Sequence, residues 1–213
     1  MAMLHLSENN NGNLFRDKIT DEEIKNLPGS HFQGCIHIIE NISQFAILEQ
    51  RLTGVKAIGF DTETRPSFKK GKIHKVALLQ LASENDAFLI RLHKTGLAPC
   101  VVSLFENENI TKIGLAIRDD LKSLNKLRHF EPERFIDLQS FVKEFNILDN
   151  GLKKLAANIL GFRISKRQQT SNWENDSLSE EQQIYAATDA WVCYKIYQTL
   201  TNHSDGAVYK DNT

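Results

Sequence analysis

Apolar positions along this chain come in short runs whose period switches between two and about 3.6, the pattern of strands interleaved with helices. The run 36–39 reads as a first short strand. Over 41–52, Ile42, Phe45, Ala46 and Leu48 to Leu52 recur at helical spacing behind Asn41 as an N-cap. A second strand, 55–60, runs straight into Asp61-Thr62-Glu63-Thr64. Two more, 76–82 and 87–90, flank Ser83-Glu84-Asn85-Asp86, which is hairpin-turn chemistry. A helix around 98–106, a strand over 112–117 and a helix over 119–127 follow, the last with Leu121, Leu124 and Leu127 in register. The segment 135–138 reads as a short strand, with helices near 138–146 and 151–160. Ser179-Glu180-Glu181-Gln182 has the form of a capping box and opens a final helix running to about Thr201. Strands first, then alternation, then helices, predict a single α/β domain with a mixed β-sheet flanked by helices.

The ends fall outside this pattern. Residues 1–32 read as a polar extension, packed on the domain or partly disordered, with one short helix at 21–26 closed by Leu27-Pro28-Gly29. The domain is expected over 33–203, and 204–213 as a short polar tail. No Pro- or Gly-rich linker and no internal repeat divides the chain.

Composition narrows the class. With 41% hydrophobic and 25% charged residues in 213, the chain has the balance of a soluble globular domain with ample core. No apolar run approaches the roughly eighteen residues a membrane helix needs, so no membrane association is expected. The Asn-rich start lacks the apolar stretch of a secretory signal. Cys35, Cys100 and Cys193 form no metal-ligand spacing and read as small core residues in a reduced, cytoplasmic setting. A net charge of −1 does not advertise nucleic-acid binding, so attraction for a polyanion must come from local patches or bound metal.

The candidate chemistry is carboxylate chemistry. Strand alternation puts Asp61 and Glu63 on one face at the end of an apolar strand, where ligand-binding residues of α/β sheets collect. Two solvated acids in a turn are the plain alternative. On the final helix, Tyr185, Asp189, Val192 and Ile196 share an inward stripe, with Cys193 and Leu200 beside it. A carboxylate on such a stripe is costly to bury unpaired. Asp119 and Asp120 sit at a strand-to-helix junction, where either could simply favour the helix dipole. Asp120 precedes Leu124 by four residues and shares its inward face; Asp119 points away. Oxygen-only ligands suit Mg²⁺ or Mn²⁺ rather than zinc. Four carboxylates plus a phosphate suit two divalent ions about 4 Å apart, with Tyr185 holding or deprotonating the water.

Phe60-Asp61-Thr62-Glu63-Thr64, then Gly114 to Asp120 with Leu124, then Tyr185-Ala186-Ala187-Thr188-Asp189-Ala190 resemble the three motifs of the DEDD exonuclease superfamily. The tyrosine places the chain in the DEDDy branch, similar to ribonuclease D and to the exonuclease domain of the Werner-syndrome helicase. Gly151-Leu152-Lys153-Lys154-Leu155-Ala156 through Gly161, with Lys166, Gln169-Thr170-Ser171-Asn172-Trp173 and Leu178-Ser179, follow the same pattern. The resemblance spans about 35–200 and implies an RNase H-like fold. It also implies two metal ions held by Asp61, Glu63, Asp120 and Asp189, water oriented by Tyr185, and release of nucleoside 5′-monophosphates from a 3′ end. It leaves no room for ribonuclease D's extra helical domains or for a helicase, so a stand-alone catalytic module is expected.

Arg65, Phe68 and Lys69 lie in a basic loop just after the first acidic motif. Either that loop is a solvated face, or it clamps a nucleic-acid backbone with Phe68 stacked on a base. Thr62, Lys166 and Trp173 complete the expected substrate contacts, Trp173 being read first as a packing residue. The expected substrate is the 3′ end of DNA or RNA, DNA slightly favoured. Two other readings stand beside this one: a non-catalytic nucleic-acid-binding module that keeps the fold, and a phosphoesterase acting on small nucleotides.

Overall fold

The structure, a computed structural model, describes residues 15–66 and 74–208, with side chains to His203. Phe68 and Lys69, and with them the core of the basic loop, lie outside the described residues. Chain order gives helix α1 (Asp21–Asn26), strand β1 (Cys35–Ile39), helix α2 (Phe45–Arg51) and strands β2 (Ala57–Thr64), β3 (Val76–Ala82) and β4 (Asp86–Arg91). Helices α3 (Leu92–Thr95) and α4 (Pro99–Phe105), strand β5 (Thr111–Gly114), helix α5 (Arg118–Asn125) and strand β6 (Phe135–Asp137) follow. The chain ends in helices α6 (Leu138–Phe141), α7 (Leu152–Leu155) and α8 (Glu180–Val208).

The six strands form one mixed sheet in the order β1-β4-β3-β2-β5-β6. β2, β3 and β4 make an antiparallel meander, while β5 and β6 extend it in parallel beyond β2 and β1 adds in parallel to β4. This is the mixed sheet flanked by helices that the alternating periods predict. One face carries Ile58, Phe60, Leu79, Leu81, Phe88 and Ile90, packed against Leu48, Val101, Phe105 and Leu124 of the helices. The opposite face is covered by α8. Its Val192, Ile196 and Leu200 meet Ile113, its Ala187 and Ala190 meet Ala82 and Ala87, and its Tyr185 and Ala186 meet Leu78 and Leu89. Small residues let α8 approach closely. A Cβ on Gly59 of β2 would sit 1.7 Å from the Ala190 carbonyl oxygen.

Some boundaries differ from the sequence reading, each for a local reason. The strand expected over 112–117 stops at Gly114, because Ala116 turns the chain with φ 56°. That turn is fixed by Asp137, whose Oδ1 accepts from the Ala116 N–H at 2.9 Å. The helix expected over 41–52 begins as a 3₁₀ turn, 42–44, in which Gln44 Oε1 accepts from the backbone N–H of Asn41 at 3.1 Å. The helices near 138–146 and 151–160 are short pieces: 142–145 is 3₁₀, and 156–160 is a π-turn ended by Gly161 in the left-handed region. The final helix runs past Thr201 to Val208. Cys35 is exposed on the edge strand β1 rather than in the core, while Cys193 is buried.

Residues 15–32 are polar in composition yet well anchored. Phe15, Ile19, Ile24 and Phe32 are buried, and α1 starts with a reciprocal capping box between Thr20 and Glu23. Ile19 donates its N–H to Asp149 at 2.8 Å, Phe32 donates to Thr188 of α8 at 3.0 Å, and Pro28 accepts from the Arg163 N–H at 2.9 Å. Among the described residues, no helix is long and apolar enough to cross a membrane.

Candidate active site

Asp61 and Glu63 leave β2 on the face that α8 covers, two residues apart as strand alternation requires. Asp189 comes down from α8 onto the same spot. Carboxylate oxygens of these three residues all lie within 4.8 Å of one another. Asp189 is 7% exposed and Tyr185, one turn earlier, 8%, so the helical stripe does point inward. Asp120 stands one step outside this trio. It sits in the first turn of α5, where Thr62 donates its hydroxyl to Asp120 Oδ1 at 2.6 Å. Asp119 faces solvent and pairs with Lys122 at 3.0 Å. Helical phase thus separates two adjacent aspartates into different environments.

The electrostatics are those of acids crowded without a salt-bridge partner among the described residues. Burial, then the charges of Asp189 and Asp120, push Asp61 well above the usual carboxylate range. Burial and the charges of Asp61, Asp189 and Asp120 raise Glu63 to about 9. Burial raises Asp189 to about 7, against a hydrogen bond from the Tyr185 hydroxyl and the charge of Lys166. Asp120 is raised by burial and held back by Thr62. Tyr185 is pushed up by burial and by the charges of Asp189, Glu63 and Asp61, so its hydroxyl stays protonated. Among the described residues, none of the four acids is in a salt bridge with Lys, Arg or His. Converging oxygen ligands that lack a protein cation form a donor set that fits a hard divalent ion.

The expected substrate contacts fare unevenly. Lys166 is exposed, close enough to Asp189 to favour its charge, and lines a cleft beside Tyr185. Arg65 reaches Glu174 at 3.4 Å in the turn that follows Trp173. Thr62 lies on the opposite face of β2 from Asp61 and gives its hydroxyl proton to Asp120, so it positions an acid. Trp173 corrects the list of substrate contacts: it is 0% exposed and packs at 6.0 Å from the Tyr185 ring. No face of its indole is open to a base. Among the described residues its Nε1 makes no hydrogen bond of ordinary geometry, yet it lies near enough to Glu63 to favour the charged carboxylate.

Sequence reasoning missed two residues. Asp137 caps α6 through the Gln139 N–H at 3.0 Å and also shapes the turn that delivers Asp120. An Asp at a strand-to-helix junction was the available signal. Gln80 on β3 lies directly across from Asp61, is fully buried, and has no hydrogen-bond partner for either amide atom among the described residues. Nothing in an apolar run marks such a residue. Replacing a buried, unpaired amide by an apolar group of similar shape removes a desolvation cost of about 1–3 kcal/mol. Gln80→Leu is therefore expected to keep or raise the Tm, and a drop of more than a few degrees in a thermal melt would contradict this.

A family model described as 3′–5′ exonuclease matches residues 36–205. Over 198 residues the chain is 34% identical to the bifunctional 3′–5′ exonuclease/ATP-dependent helicase WRN of Mus musculus, covering 85% of this chain. It spans 14% of that relative's length and 20% of the human exonuclease mut-7 homolog, with which it shares 30% identity over 68% of its own length. The Nibbler EXO domain of Aedes aegypti superposes with a TM-score of 0.70 at 24% identity, over 80% of this chain and 90% of that one. Escherichia coli RNase D gives 0.70 at 21%, over 84% and 47%. Both solved structures share the RNase H-like sheet described above.

Proposed function

The chain belongs to the 3′–5′ exonuclease family, and from that premise we propose that the acid cluster is a divalent-metal centre. It would hydrolyse terminal phosphodiester bonds of nucleic acid to nucleoside 5′-monophosphates. The observation that carries this reading is the trio Asp61, Glu63 and Asp189, the first two half-buried and the third buried, mutually within 4.8 Å and, among the described residues, in no salt bridge. Asp61, Glu63 and Asp189, with Asp120 at the edge, are the residues that would hold two ions, Mg²⁺ or Mn²⁺. Such ions, when bound, neutralise developing phosphate charge and lower the pKa of water.

The chain's own groups do the positioning. Thr62 fixes the Asp120 carboxylate, and Asp189 fixes the Tyr185 hydroxyl. Tyr185, hydrogen-bonded to Asp189, is placed to orient the attacking water. Trp173, packed beneath Tyr185, holds the ring in place. Lys166 stands where it can meet a phosphate next to Asp189.

The test is degradation, in parallel, of single-stranded DNA, duplex DNA with a recessed 3′ end, and single-stranded RNA, with Mg²⁺ or Mn²⁺. We expect shortening of at least one polymer, DNA somewhat faster than RNA, and none with chelator. Binding without shortening under both metals would support a non-catalytic module instead. Turnover of a mononucleotide ester but of no polymer would support a small-nucleotide phosphoesterase.

A further inference from the structure

Next to Tyr185 the protein has a cleft of about 940 Å³. It is unusual in its charge. Lys25, Lys153, Arg163, Lys166 and Arg167 line it, and Glu181 is the one acid among the described lining residues. None of the five cations takes part in a salt bridge among the described residues. Glu181 is engaged locally, accepting from the Ser179 hydroxyl at 2.8 Å. On a chain of net charge −1, this gathers positive charge around one cleft beside Tyr185.

The cleft is composite. Lys166, Arg167 and Arg163 come from the segment before α8, Lys153 from α7, and Lys25, Gly29 and His31 from the N-terminal segment. That segment is held in register as a wall. The Ser30 N–H donates to the Arg163 carbonyl at 3.0 Å, and Arg163 Nε donates to the Leu27 carbonyl at 3.0 Å. Thr188 of α8, which also lines the cleft, accepts the Phe32 N–H. The N-terminal segment thus brings Lys25 to a cleft that opens at Tyr185.

We propose that this cleft binds the sugar–phosphate backbone of the nucleic-acid strand leading away from the scissile bond, with the N-terminal segment as its outer wall. A flexible polyanion fits unpaired, partly exposed cations spaced around an open cleft better than a compact ligand does, because backbone contacts need charge and not shape. Lys25 and Lys153 contact phosphates upstream of the bond being cut, and Lys166 the phosphate nearest Asp189. This rests on the exonuclease reading for the direction of the strand, but not for its presence.

The test uses Lys25→Gln/Lys153→Gln in the full chain, with unchanged Tm as the check on folding. Steady-state kinetics compare a single-stranded oligonucleotide with a dinucleotide, which has only the scissile phosphodiester. The expected result is KM for the oligonucleotide raised at least about fivefold, kcat unchanged and the dinucleotide KM unchanged. The slope of log K against log salt should also fall by about 0.7 for each lost contact to a single strand. Equal effects on both substrates, or no effect on either, would overturn the proposal. A fluorescent oligonucleotide titrated in EDTA separates the two claims. If wild type degrades nothing with Mg²⁺ or Mn²⁺ yet binds in EDTA, and the double variant binds at least about fivefold more weakly, the cleft stands and the exonuclease reading fails. If affinity is equal, the cleft fails whatever the activity.

Discussion

Asp61→Asn is expected to lower kcat about 10³-fold or more while raising the Tm of the metal-free protein near pH 8. The activity loss follows from removing a ligand oxygen at the centre of the trio, where several kcal/mol of charge stabilisation are at stake; about 4 kcal/mol corresponds to about 10³ in rate. The stability gain follows from the raised carboxyl pKa values. Glu63 moves from 4.5 to about 9 and Asp189 from 3.8 to about 7 on folding, so the folded state binds protons the unfolded state has lost. Their contribution is intact below about pH 4 and is lost as pH rises toward 9, so the metal-free wild type weakens across that range. A neutral amide at 61 removes the largest neighbouring charge acting on Glu63. A gain of about 2 kcal/mol, or roughly 4–8 °C in Tm, is expected near pH 8, shrinking toward pH 4. Melts at both pH values with chelator check the sign, and a lower Tm for the variant at pH 8 would contradict it.

Gly59→Ala is the second large effect, and it acts through packing. The added methyl would lie 1.7 Å from the Ala190 carbonyl oxygen and 3.1 Å from the Tyr194 nitrogen. Both are backbone atoms of α8, so no side-chain rotation relieves the clash. The helix must lift from β2, and overpacking of this kind costs about 3 kcal/mol or more. Because α8 carries Asp189 and Tyr185, the lift also separates Asp189 from Asp61, and activity should fall with stability. Gly151→Ala, which meets open space, is the control and should change stability by less than about 0.5 kcal/mol. Equal melting of Gly59→Ala and wild type would contradict the close approach of helix and strand.

The trio was legible because its positions follow from period alone. Two residues along a strand share a face, four along a helix share a stripe, and Asp120 is told from Asp119 by its phase with Leu124. The sheet's internal order was less so. β1 pairs with β4 and not with its sequence neighbour β2, and no local pattern encodes which edge a parallel strand joins. The end of β5 was overrun because Ala116 adopts a positive φ that alanine does not announce, and Asp137, 21 residues on, stabilises it. Residues 15–32 look polar because their four buried anchors, Phe15, Ile19, Ile24 and Phe32, are spaced at no single helical or strand period. The burial of Trp173 depends on the fold of the segment 165–178, whose turns carry no regular spacing.

If Asp61, Glu63 and Asp189, with Asp120, form one metal-dependent site, nucleic acid should be shortened from its 3′ end only when metal is present. The most direct measurement follows a 5′-labelled single strand over time with Mn²⁺, for wild type and Asp61→Asn, with and without chelator. Wild type with metal should give a ladder shortening stepwise from the 3′ end, and the other lanes an intact strand. A strand left intact by wild type with metal, or a ladder from Asp61→Asn equal to that of wild type, would contradict such a site.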